Sequence, residues 1–100
     1  MNRTMLIAAA LAAAPLAAGA QDSPAARSLA ATCASCHGTE GRSVSTEVAA
    51  LAGLPKDHIV SQMKAFRDGT RPATVMQQLA KGYSDAQIEL IADYFSRRPR

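Results

Sequence analysis

Cys33-Ala34-Ser35-Cys36-His37 is the stretch on which the reading of this 100-residue sequence turns. Two thiols three positions apart lie one helical turn from each other, on the same edge of a helix. The imidazole follows the second thiol directly. The pattern C-x-x-C-H is the signature of covalent c-type haem attachment. Each thiol can add across a haem vinyl group to give a thioether bond, and His37 can then reach beneath the anchored ring to bind the iron. Three other chemistries use these residue types. A Cys33–Cys36 disulfide would close a very small loop and stabilise little. A thioredoxin-type redox pair opens a helix after a strand, whereas this motif closes a helix and no strand pattern precedes it. A zinc site would have to use Cys33, Cys36, His37 and His58, which are the only Cys and His of the chain and do not fall into two spaced pairs.

Working outward toward the N-terminus, Met1 to Ala20 has the layout of a secretory signal peptide. Arg3 supplies the positive start, Met5 to Ala14 an apolar run, and Ala18-Gly19-Ala20 a small-residue cleavage site. The run is shorter than the 20 or so apolar residues of a spanning helix and is followed by Pro15. The expected organisation is a cleaved signal peptide at 1–20 and one domain at 21–100. Export agrees with the motif, because in bacteria haem attachment of this kind is made outside the cytoplasm.

Composition sharpens the case for haem. The 48% of apolar residues includes fifteen in the first twenty positions, and the chain has four aromatic residues, Phe66, Tyr83, Tyr94 and Phe95. A mature domain of this size and composition is marginal on burial alone, and a covalently held apolar ring would supply the middle of its core. Losing Arg3 lowers the formal charge from +3 to +2, and no basic run of five or more occurs. Nucleic acid and anionic membranes are therefore poor partners. A large multi-site enzyme, a coiled coil and a disulfide-dense scaffold are excluded.

The mature chain reads as all-α, a small fold of three to four short helices. Asp22-Ser23-Pro24 is a helix start, predicting a helix from Ala25 to Cys36 that Gly38 and Gly41 stop. Thr39 to Ala52 is a polar loop. Ile59, Met63 and Phe66 mark one face of a helix over Lys56 to Asp68, with Gly69 as its C-terminal stop. Thr74 to Lys81 is a candidate short helix. Ser84 and Gln87 form a capping box, followed by the apolar stripe Ile88, Ile91, Ala92 and Phe95. The first helix is expected to pack on the last, with Ala25 and Ala26 giving close approach to Tyr94 or Phe95.

A second axial ligand has three candidates downstream. Met63 belongs to the apolar stripe with Ile59 and Phe66 and reads as packing, and His58 lies one position off that stripe and reads as exposed. Met76, 39 residues after His37 and beyond the Pro72 turn, is the preferred ligand. His/Met ligation raises the reduction potential and closes the iron to oxygen and peroxide, leaving one-electron transfer.

The ordered set Cys33 to Gly41, Leu51-Ala52-Gly53, Phe66-Arg67-Asp68-Gly69, Met76 and Tyr94-Phe95 resembles the small class I c-type cytochromes over nearly the whole mature chain. Leu79-Ala80-Lys81-Gly82-Tyr83-Ser84, after Thr74-Val75-Met76, is similar to the cytochrome subunit family of flavocytochrome c sulfide dehydrogenases. The resemblance implies one haem c on Cys33 and Cys36, axial ligation by His37 and Met76, and a periplasmic flavoprotein partner that oxidises sulfide. Electrons would pass from its flavin through this chain to a soluble acceptor, and the chain itself would not be an enzyme. Related chains often carry Pro where Ala49 stands, its carbonyl accepting the N–H of the proximal His. The Ala49 carbonyl can serve equally, since the side chain is not the acceptor. Arg71 and Tyr83, on either side of Met76, are plausible partners for the haem propionates. The alternatives are a free-standing electron shuttle and a sensor or enzyme with an open sixth position.

Overall fold

The computed structural model describes residues 22–100, together with 9, 10 and 12. Apart from those three positions, the expected signal peptide lies outside the described residues. Five α-helices follow in order: α1 Pro24–Ala31, α2 Ala34–His37, α3 Lys56–Asp68, α4 Met76–Ala80 and α5 Asp85–Ser96, with a 3₁₀ turn at Thr39–Gly41. No strand occurs among the described residues. None of their helices is long and apolar enough to cross a membrane.

Local chemistry sets most of the ends. Ser23 caps α1 by accepting from the Ala26 N–H at 3.1 Å, and Pro24 occupies the first turn, where its missing N–H costs nothing. Ser84 and Gln87 close the expected capping box on α5, with both reciprocal bonds present at 3.2 and 2.9 Å. Gly69 ends α3 in the left-handed region, its N–H returning to the Phe66 carbonyl.

The expected helix from Ala25 to Cys36 is divided. At Thr32 and Cys33 the backbone N–H groups bond three residues back, to Leu29 and Ala30, rather than four. The Thr32 hydroxyl also takes the Leu29 carbonyl, at 2.7 Å. A hydroxyl competing for a carbonyl in this way tightens a helix end, and the motif residues form their own turn as α2. This division accounts for five helices where three or four are expected.

α5 is the centre of the packing, with α1 against it on one side and α3 on the other. Ala26 and Ala30, one turn apart on α1, are both buried and let the helices approach closely. Ala25, expected to share this role with Ala26, is exposed instead; the helical period puts Ala30 on the inner face. Ile88, Ile91, Ala92, Tyr94 and Phe95 of α5 are buried, as are Ile59 and Met63 of α3. Among the described residues, five of the eleven buried apolar residues are alanines, so their side chains alone make a thin core.

The N-terminal segment is tied to the end of α5. Asp22 pairs with Arg98, and Arg97 Nη2 lies 2.8 Å from Asp22 Oδ1 as an ion contact rather than an aligned hydrogen bond. Arg98 also lies over the Tyr94 ring at 4.2 Å.

Candidate haem site

His37 closes α2, and Gly38 then turns the chain away in a conformation with φ 87°. The 3₁₀ turn at Thr39–Gly41 redirects it, and the Gly41 carbonyl accepts from both Leu51 N–H, at 2.8 Å, and Ala52 N–H, at 3.1 Å. Gly53 N–H donates to the Phe95 carbonyl at 2.9 Å, fastening the returning loop to α5. These bonds bring the backbone near residue 49 back over the motif. His37 Nδ1 lies 2.6 Å from the Ala49 carbonyl oxygen. A carbonyl oxygen can only accept, so Nδ1 carries the proton and the lone pair of Nε2 is the one left for a metal. The bond also fixes the ring's orientation and strengthens it as a donor.

Cys33 is half-buried and Cys36 exposed, and both are free thiols. Burial pushes the Cys33 thiol above its ordinary pKa, and Cys36 adds to the rise. This is the reverse of what a nucleophilic disulfide-exchange thiol requires. Among the described residues no three His, Cys, Asp or Glu side chains gather as a metal cage.

Met76 is the first residue of α4, within the expected short helix over Thr74 to Lys81 and directly after irregular backbone that ends at Val75. α4 packs on α3, and Met76 is half-buried against the core. Cys33, Leu51, Leu54, Val60 and Tyr83 are likewise partly covered and packed against the same core cluster. Five separate parts of the chain thus contribute half-covered apolar side chains. Two free thiols, an imidazole with a committed Nδ1 and a half-buried thioether are donor types that suit a haem c. Met63 is buried at 7% exposure and His58 is exposed, as their positions relative to the α3 stripe imply.

Arg71 and Tyr83 find protein partners. The Arg71 guanidinium lies over the Phe66 ring at 4.5 Å and donates to Gln62 Oε1. Tyr83 Oη lies 2.8 Å from Thr32 Oγ1. Glu40 is the residue that sequence reasoning missed. Its backbone is left-handed, φ 58° and ψ 21°, a conformation costing a non-glycine residue about 1–2 kcal/mol. Its carboxylate accepts from Tyr94 Oη at 3.0 Å and pairs with Arg98 at 3.4 Å. Burial, then this bond, pushes the Tyr94 phenol up. Glu40 thereby holds the turn after the motif onto α5. Only its place between Gly38 and Gly41 hinted at a turn.

The family model for cytochrome c matches residues 23–97. The cytochrome subunit of sulfide dehydrogenase from Chlorobaculum tepidum is 42% identical over 67 residues, covering 67% of this chain and 60% of that protein. Cytochrome c-554(548) of Halomonas halodenitrificans is 40% identical over 68 residues, 65% of this chain and 82% of its own. Among solved structures, a cytochrome c4 of Acidithiobacillus ferrooxidans superposes with a TM-score of 0.65 at 30% identity, over 73% of this chain and 49% of that one. The chain therefore spans about 60% of the sulfide dehydrogenase subunit and about half of the cytochrome c4.

Proposed function

Because this chain belongs to the cytochrome c family, and so is a non-catalytic electron carrier with covalently bound haem c, we propose that it serves a sulfide-oxidising flavoprotein in the periplasm. Cys33 and Cys36 would hold the haem through thioether bonds, and His37 and Met76 would supply its iron with a nitrogen and a sulfur ligand. Residues 1–20 are removed on export, leaving 21–100 as the cytochrome c domain.

Bound haem supplies a one-electron couple between ferric and ferrous iron. His37 contributes a neutral imidazole whose tautomer the Ala49 carbonyl sets. Met76 contributes a soft, uncharged thioether that favours the ferrous state, which suits an acceptor working after a flavin. With His37 and Met76 both holding the iron, small ligands would be kept out, leaving one-electron transfer.

The observation that carries the ligand assignment is the 2.6 Å contact from His37 Nδ1 to the Ala49 carbonyl. It presents Nε2 of the histidine that directly follows the two thiols. The flavoprotein partner is favoured by the 42% identical sulfide dehydrogenase subunit and by the Leu79–Ser84 string. A free-standing shuttle is the second reading, favoured by the Halomonas cytochrome, of which the chain covers 82%.

Purification of the tagged holoprotein from its native cells distinguishes the two. Co-purification with a yellow, flavin-containing protein, and haem reduction by sulfide only in its presence, is the expected result. Purification alone, with equal reduction by unrelated donors, favours the shuttle.

A further inference from the structure

The segment that begins with Met76 needs an anchor. α4 has five residues, and a helix of that length does not hold its place without tertiary contacts. Its far end is fixed by Ala80, which is fully buried. Three residues on, Tyr83 reaches back across 51 positions to the residue preceding Cys33. Among the described residues, this is the one side-chain hydrogen bond that segment 72–83 makes to another part of the chain.

We propose that Tyr83 and Thr32 form a latch that positions the Met76 segment against the haem-attachment motif. The inference rests on the assignment of Met76 as an axial ligand. The direction of the latch follows from its partners. The Thr32 hydroxyl lies 2.7 Å from the Leu29 carbonyl, which can only accept, so the Thr32 proton is committed there. Tyr83 must then donate to Thr32 Oγ1, at 2.8 Å. The result is a chain in which Tyr83 O–H donates to Thr32, and Thr32 O–H donates to Leu29. Each bond polarises the next. The chain ends on a carbonyl in the last turn of α1, a group with no helical partner four residues ahead.

Tyr83 and Thr32 are positioning residues. Without the latch, the segment keeps its packing on α3 but is free to swing, and Met76 leaves the iron more often. The haem stays attached, because neither Cys33 nor Cys36 is touched.

The test uses ferric holoprotein, wild type and the variants Tyr83→Phe, Thr32→Val and the pair together. The readouts are the rate of cyanide capture, which requires Met76 to leave, and the pH at which the sulfur-to-iron charge-transfer band is lost. Each single variant is expected to speed capture by about five- to tenfold, the worth of one hydrogen bond, and to lose the band at lower pH. The double variant should match the singles, and Thr32→Ser should restore the wild-type rate. Wild-type capture rates in both single variants, even with lowered melting temperatures, would overturn the latch and leave the Met76 ligand intact. Multiplied effects in the double variant would also overturn it. A wild-type protein lacking the band would overturn the ligand assignment and the latch together.

Discussion

Gly41→Ala tests whether the loop that carries the Ala49 carbonyl is held as described. Gly41 is buried, with φ 75°. A Cβ there would lie 2.7 Å from Phe95 Cδ1 and 2.9 Å from the Ala52 nitrogen. Neither neighbour can yield easily: Phe95 is 1% exposed at the centre of the core, and Ala52 N is bonded to Gly41's own carbonyl. Overpacking of this kind costs about 1–3 kcal/mol, and the left-handed backbone adds about 1–2 kcal/mol for alanine. The expected loss is about 2–5 kcal/mol, against roughly 4–12 kcal/mol for a domain of about 80 residues. Gly82→Ala is the internal control, since its added Cβ meets only the Leu79 carbonyl oxygen at 3.4 Å. That change should be neutral, or stabilising by up to about 1 kcal/mol through the unfolded chain. Guanidinium unfolding of both ferric variants, followed by haem absorbance and by far-UV circular dichroism, measures the difference. If Gly41→Ala falls within 0.5 kcal/mol of wild type, by the usual range for a harmless substitution of about ±0.5 kcal/mol, the loop does not pack on Phe95 as described.

Met76→Ala should leave the haem attached while abolishing the sulfur-to-iron band, lowering the potential and allowing carbon monoxide to bind the reduced protein. Met63→Ala should cost about 2–5 kcal/mol as a core truncation and leave the haem spectrum unchanged; the opposite pattern would exchange the two roles. Thioether attachment is checked in acidified acetone, where the haem should stay with the denatured chain. The Arg67 guanidinium, hydrogen-bonded to Asp85, holds that carboxyl below its ordinary 3.8. The folded state binds this proton more weakly than the unfolded one, so the stabilisation is present above pH about 4 and disappears as the pH falls through the lowered value. The stability gap between wild type and Asp85→Asn should therefore shrink on acidification, and a gap independent of pH between 7 and 2.5, a span of roughly four to five units around the carboxylate range, would remove the carboxylate from the account.

Several features were legible because they are properties of short stretches. Cys33, Cys36 and His37 announce their chemistry by adjacency, Ser84 and Gln87 form their box within one turn, and Gly69 ends α3 through its own backbone freedom. The burial of Ile59 and Met63 on α3 followed from helical period alone. The acceptor at Ala49 followed from the resemblance to related chains, since a backbone carbonyl can serve whatever side chain stands there. What tertiary structure decided are pairings between distant positions. Tyr83 bonds the Thr32 hydroxyl from 51 residues away. Glu40 is an ordinary surface carboxylate in sequence, yet Tyr94 and Arg98 hold it in a left-handed conformation. Packing on α5 selects which face of α1 turns inward, burying Ala26 and Ala30 and leaving Ala25 exposed. Such pairings depend on how packed helices align polar groups far apart in the chain, and no local pattern encodes that alignment.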